Sequence, residues 1–223
     1  MSAINALLDL AVGRRCLECH EVGPPWCDAC LEQALAVHRR PTPGGAVVVA
    51  AAHYRGSVRA AIIGYKERGH LALATPLGRL LAAAAGTAAA GARPGAMAGL
   101  VPVPSTRVAT RSRGHDHAYR LARRAAAAAG GSARSVLAWA RPVRDQSALS
   151  VVQRRINVSG AMVARPPAAW GTDVVLVDDV MTTGATLDEG VRVLTDTGYR
   201  VVATCVVAAV DGQTALAPRD RLR

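Results

Sequence analysis

The sequence predicts an α/β fold: a mostly parallel sheet flanked by helices, with a small N-terminal four-cysteine zinc finger. Three observations carry this prediction. From residue 46 onward, short apolar runs alternate with stretches of helical spacing, and several of the runs are apolar throughout. That is the pattern of parallel strands buried on both faces. Four of the five cysteines fall in two Cys-x2-Cys pairs near the N-terminus, where four thiolates can share one tetrahedral zinc. The chain has 223 residues, 51% hydrophobic and 19% charged, enough for one large domain plus an appendage and too apolar for wholesale disorder.

Taken in order, Ile4 to Leu10 reads as a short amphipathic helix, interrupted by Asn5 and Asp9 and without the basic lead of an export signal. Cys16, Cys19, Cys27 and Cys30 follow, with Gly23-Pro24-Pro25 to turn the chain between the pairs. Two disulfides in a secreted chain are the minor alternative. A zinc bound by four thiolates has no open coordination position, so it would hold structure and not perform catalysis. Leu31 to Val37 fits a short helix, and the Arg, Pro and Gly of His38 to Gly45 read as a linker. The chain divides on this reading into an N-terminal helix and zinc finger over 1–40 and a second domain over 46–215.

Ala46 to His53 is a continuous apolar run for a buried strand, and Ser57 to Glu67 and Leu71 to Ala90 have helical spacing. Leu100 to Val103 is a short strand stopped by Pro104, and Asp116 to Ala129 is a helix that Asp116 can cap. Ser135 to Trp139 and Gly160 to Ala164 read as strands around the irregular stretch Ala140 to Asn157. Val174 to Val177 is a strand, Thr186 to Thr197 a helix closed by Gly198, and Val201 to Val210 a last buried strand that holds Cys205. No stretch reaches ~18 apolar residues in a spanning context, Leu80 to Ala92 being too short. The expectation is a cytoplasmic chain without membrane insertion.

The charge pattern asks for an anion. The net charge is +11, and Val101 to Gly160 holds eleven Arg against Asp116 and Asp145. Phosphate esters, pyrophosphate and nucleic acid all qualify. Seven Trp and Tyr with no Phe argue against a dedicated base-stacking surface. Lys66 is the single lysine among 27 cationic residues, and a compact ammonium is a different tool from a guanidinium.

The segment Val174 to Thr186 carries the chemistry. Four apolar residues make a strand, Asp178 and Asp179 follow, and Thr182-Thr183-Gly184-Ala185-Thr186 opens the next helix. Ligands bind open α/β sheets at such strand ends. Backbone N–H groups and threonine hydroxyls there cradle a phosphate, and the carboxylates can accept hydrogen bonds from sugar hydroxyls. The whole suits a ribose 5-phosphate. No Gly-Lys-Ser/Thr loop and no Gly-x-Gly-x-x-Gly fingerprint competes.

This segment resembles the donor-binding motif of type I phosphoribosyltransferases. With the four cysteines, Tyr54-Arg55-Gly56, Tyr65 to Gly69, Val101 to Ser105, Arg113 to Ala118 and Arg154 to Asn157, the chain is similar to the ComF family, named for competence proteins. His115-Asp116-His117 stands where that family usually has Phe-Asn-Gln. The resemblance implies that Asp178 and Asp179 hold the ribose hydroxyls of phosphoribosyl pyrophosphate and that Thr182 to Thr186 bind its 5-phosphate. It places Ser105, Thr106 and Arg107 in a pyrophosphate loop, with Mg as cofactor and Lys66, Arg107, Arg111 and Arg113 as cations for the leaving group. It also implies an alternative, a non-catalytic module handling single-stranded DNA during uptake.

Overall fold

The computed structural model describes residues 15–89, 98–106, 110, 116–144, 150–167 and 172–211. The predicted helix Ile4 to Leu10, the residues Arg107, Arg111 and Arg113, and Asp145 to Ala148 lie outside that set. Its helices are α1 (Asp28–Ala34), α2 (Gly56–Glu67), α3 (Ala74–Ala89), α4 (His117–Ala128), α5 (Val151–Val158) and α6 (Ala185–Asp196). The strands are β1 (His38–Pro41), β2 (Val47–His53), β3 (Gly99–Pro102), β4 (Leu137–Trp139), β5 (Met162–Ala164), β6 (Asp173–Met181) and β7 (Arg200–Ala209).

Five strands form the central sheet in the order β1-β2-β7-β6-β3. The β2, β7, β6 and β3 neighbours run parallel, and β1 pairs antiparallel on the edge. The pleat sends Val48, Ala50, Val101, Val174, Leu176 and Val206 to one face, against Leu187 and Leu194 of α6 and Leu137 and Met162 of β4 and β5. Val49, Ala51, Val175, Val177, Cys205 and Val207 face the other side, with α2, α3, α4 and Trp26 and Leu31 of the cysteine module. Burial on both faces is why these strands are apolar throughout.

The alanine content has a packing reason. A Cβ on Gly78 of α3 would lie 2.6 Å from Arg124 Cβ on α4, and Ala84, Ala122 and Ala125 are fully buried nearby in sequence on the same two helices. Small side chains let the two axes approach closely. Leu71–Ala88 is apolar and long enough to cross a membrane, yet Leu73, Leu77, Leu81 and Ala84 are buried in the core of this domain.

Several elements differ from the sequence reading. The stretch read as a linker is strand β1 in part, with His38 opposite Ala50 and Pro41 opposite Val47. An edge strand tolerates the missing N–H of a proline, and Thr42 to Ala46 closes the hairpin through Thr42 N–H to Ala46 C=O at 2.8 Å. Helix α1 begins at Asp28 and ends at Ala34, because Ala36 N–H is drawn to Ala51 C=O of β2 at 2.8 Å. Among the described residues, strands β4 and β5 pair only with each other, antiparallel. Within the irregular stretch, α5 forms behind a capping box of Ser150 and Gln153.

Candidate functional site

Strand β6 does not stop at Val177. Its pairing with β7 continues through Asp178 opposite Val206 to Met181 opposite Ala209, so both carboxylates stand inside the strand. Neighbouring β3 ends beside them, Val103 N–H donating to Val177 C=O at 2.9 Å. After Met181 the chain turns through Thr182, Thr183 and Gly184, whose φ of +81° is a left-handed value that glycine adopts without strain. Ala185 then starts α6, and Thr183 Oγ1 accepts from its N–H at 3.4 Å. Asp178, Thr182, Thr183, Gly184 and Thr186 line one shallow depression with their apolar neighbours.

The two carboxylates have different surroundings. Asp179 lies 2.8 Å from Lys66 Nζ, with side-chain exposures of 12% and 34%. Lys66 sits in the last turn of α2, which is anchored by buried Tyr65, whose hydroxyl donates to His117 C=O at 2.9 Å. Asp178 accepts from Asp179 N–H at 2.8 Å. Burial and then the charge of Asp179 push the Asp178 carboxyl up to about 7, against smaller opposing effects of Lys66 and the amide. One carboxylate is thus paired with a cation, while the Asp178 carboxyl titrates at about pH 7 and can take or give a proton.

The sequence-predicted residues fall into groups. The structure brings Asp178, Asp179, Lys66 and the run from Thr182 to Thr186 to one end of β6. Ser105 follows β3, and its hydroxyl donates to Asp116 Oδ1 at 2.9 Å. The same oxygen accepts from Tyr119 N–H, making Asp116 the cap of α4. Thr106 C=O accepts from Thr110 N–H at 2.9 Å. His117 is buried with its ring edge-on to Tyr65, so two of the three residues that depart from the family pattern serve packing and capping.

Other contributors went unread in the sequence. Trp139 Nε1 donates to Pro104 C=O at 2.7 Å and fixes the start of the Ser105 loop. Asp188 of α6 accepts from the Thr42 hydroxyl and, at 2.8 Å, from Gly44 N–H. Partners 146 residues apart leave no trace in local spacing.

The sulfurs of Cys16, Cys19, Cys27 and Cys30 all lie within 4.8 Å of one another and could hold a metal ion. Cys19 and Cys27 sulfurs are 3.8 Å apart, matching the edge, about 3.8 Å, of a tetrahedron with zinc–sulfur bonds of about 2.3 Å. Burial raises the Cys16 thiol, but backbone amides including Cys27 N–H, at 3.4 Å, outweigh it and bring the group down to about 6. His20 is exposed and stands outside the cluster, and Cys205 is an inert buried thiol pushed up to about 12 by burial.

The mostly parallel sheet, its flanking helices and the acid-then-threonine loop at the end of β6 are the features of a phosphoribosyltransferase-like fold. Residues 113–221 match the family model of the phosphoribosyl transferase domain. The match contains Asp178, Asp179 and the loop, while Lys66, Ser105 and the cysteines precede it. No curated protein matches the chain.

Proposed function

We propose that the protein binds phosphoribosyl pyrophosphate with magnesium and transfers the phosphoribosyl group to a nucleophilic acceptor, releasing pyrophosphate with inversion at the anomeric carbon. One observation carries this reading: Asp178 and Asp179 stand near the end of β6, separated by two residues from a Thr182 to Thr186 turn that opens a helix, with a lysine on the second carboxylate. The carboxylates accept hydrogen bonds from the ribose 2- and 3-hydroxyls, and the turn holds the 5-phosphate on N–H groups and hydroxyls. The acceptor's lone pair forms the new bond as the carbon–oxygen bond to pyrophosphate breaks, and the leaving group carries off that electron pair. Charge grows on the pyrophosphate, which Lys66 and the cations that the family resemblance implies, Arg107, Arg111 and Arg113, stabilise.

The carboxylate oxygens of Asp178 and Asp179 are the hard donors that magnesium takes, and the ion would add positive charge beside the departing group. The four cysteines suit one structural zinc, and together with the transferase domain they favour the ComF family and the reducing cytoplasm. Calorimetric titration with phosphoribosyl pyrophosphate and magnesium tests the donor. Changing both Asp178 and Asp179 to Ala removes two charged acceptors, so affinity drops at least ~10–100-fold. A folded wild type that shows no binding, or a double variant that binds as wild type does, overturns the reading. A second reading, single-stranded DNA handling, is favoured by the exposed guanidiniums of Arg123 and Arg124 on α4 and Arg155 on α5.

A further inference from the structure

The phosphate loop is held from outside by a hairpin that belongs to the opposite edge of the sheet. Asp188, in the first turn of α6, reaches the β1–β2 turn. There it accepts from the Thr42 hydroxyl through one oxygen and from Gly44 N–H through the other. Thr42 is 6% exposed, and its hydroxyl oxygen also accepts from Ala46 N–H at 3.0 Å. Its polar group therefore serves the turn and the helix at once.

The backbones are shaped for this joint on both sides. A Cβ on Gly44 would lie 2.5–2.7 Å from the Asp188 carboxylate, and a Cβ on Gly184 would lie 2.6 Å from Thr42 Cγ2. Gly184 is the middle of the phosphate loop itself. Gly184 thus brings the loop backbone against the hairpin, beyond the left-handed φ that already favours glycine there. Charge points the same way. A free carboxylate in the first turn of α6 would repel a phosphate dianion bound there, and two donors turn this one aside and partly neutralise it.

We propose that Asp188 is a positioning residue that locks the β1–β2 turn onto α6 and so holds the Thr182 to Thr186 loop in the shape that receives a sugar 5-phosphate. The proposal rests on the phosphoribosyltransferase reading and extends it to residues outside the binding motif. Ordered cradles bind more tightly because the loop's freedom is already lost.

Titration of the full chain with ribose 5-phosphate, and separately with pyrophosphate and magnesium, tests it. Asp188→Ala should weaken ribose 5-phosphate by about tenfold and leave pyrophosphate unchanged. Asp188→Asn keeps one acceptor for the hairpin and loses the other, so it should bind ribose 5-phosphate more tightly than Asp188→Ala and less tightly than wild type. Thr42→Val, which removes one hydrogen bond at constant shape, should fall between, and it carries the test alone if Asp188→Ala does not fold. Wild-type affinity in Asp188→Ala or, in its absence, in Thr42→Val overturns the proposal, as does an equal loss for both ligands, which would mark a plain stabilising contact. An Asp188→Asn variant that binds no better than Asp188→Ala overturns it too. A wild type that binds neither ribose 5-phosphate nor phosphoribosyl pyrophosphate removes the underlying function as well, whereas binding that ignores the variants removes the lock alone.

Discussion

Asp178 and Asp179 are adjacent in sequence, yet among the described residues only Asp179 has a cation at 2.8 Å. The Asp178 carboxyl is raised from 3.8 to about 7 by burial and by its neighbour's charge. A raised carboxyl in the folded state keeps a proton that the unfolded chain has released. Its contribution to stability is full below pH ~4 and is lost as pH rises through about 7. Thermal melts at pH 4.5 and 7.5 should therefore show wild type losing more stability with rising pH than Asp178→Asn, which lacks the titrating group; parallel profiles would contradict this. Donor affinity has the opposite slope, because the ionised carboxylate is the better acceptor. It should rise with pH and level off above about 7. Lys66→Ala removes the charge that opposes the shift, so its midpoint should move upward.

At the scale of elements, the β1–β2 hairpin joins the cysteine module to the phosphate loop. Gly184 is the point where this matters most, since Gly184→Ala meets both a φ of +81° and a Thr42 methyl 2.6 Å away. The expected cost is about 1–3 kcal/mol of stability, read as a lowered denaturant midpoint, together with weaker ribose 5-phosphate binding. A neutral substitution would mean that the hairpin yields. For the cysteine module, elemental analysis of protein purified without added metal should find close to one zinc per chain, lost when Cys16 and Cys19 are changed to Ser. Metal-free but folded protein would rule zinc out.

The strand, turn and helix at Val174 to Thr186 were legible because their signals are local: an apolar run, then acids, then glycine between threonines. The two cysteine pairs were legible for the same reason. Strand β1 was not, since Arg39-Arg40-Pro41 has no strand propensity and becomes a strand only by pairing with β2. The extension of β6 past Val177 and the Lys66–Asp179 pair also depend on partners distant in sequence. The lone lysine could be singled out by its rarity, but its partner could not be named.

Across the whole molecule the net charge of +11 makes any nucleic-acid contact strongly salt dependent. If single-stranded DNA is a partner, affinity should fall steeply between low and moderate salt. Changing Arg123 and Arg124 together to Ala should then reduce the slope by about two phosphate contacts. Binding that ignores salt, or none at low salt, would remove DNA from consideration.

The order β1-β2-β7-β6-β3 puts the last strand of the described chain in the middle of the sheet. As the chain leaves the ribosome, β1 with β2 and β3 with β6 can each pair early, but the two halves have no strand in common until residues 200–209 arrive. Until then the facing edges of β2 and β6 are unpaired apolar strands, templates for other chains. Nascent and prematurely ended molecules of this protein are therefore the vulnerable ones. A ribosome that stalls before Arg200 releases two half-sheets lacking their keystone, which makes β7 the step that commits the chain to its fold.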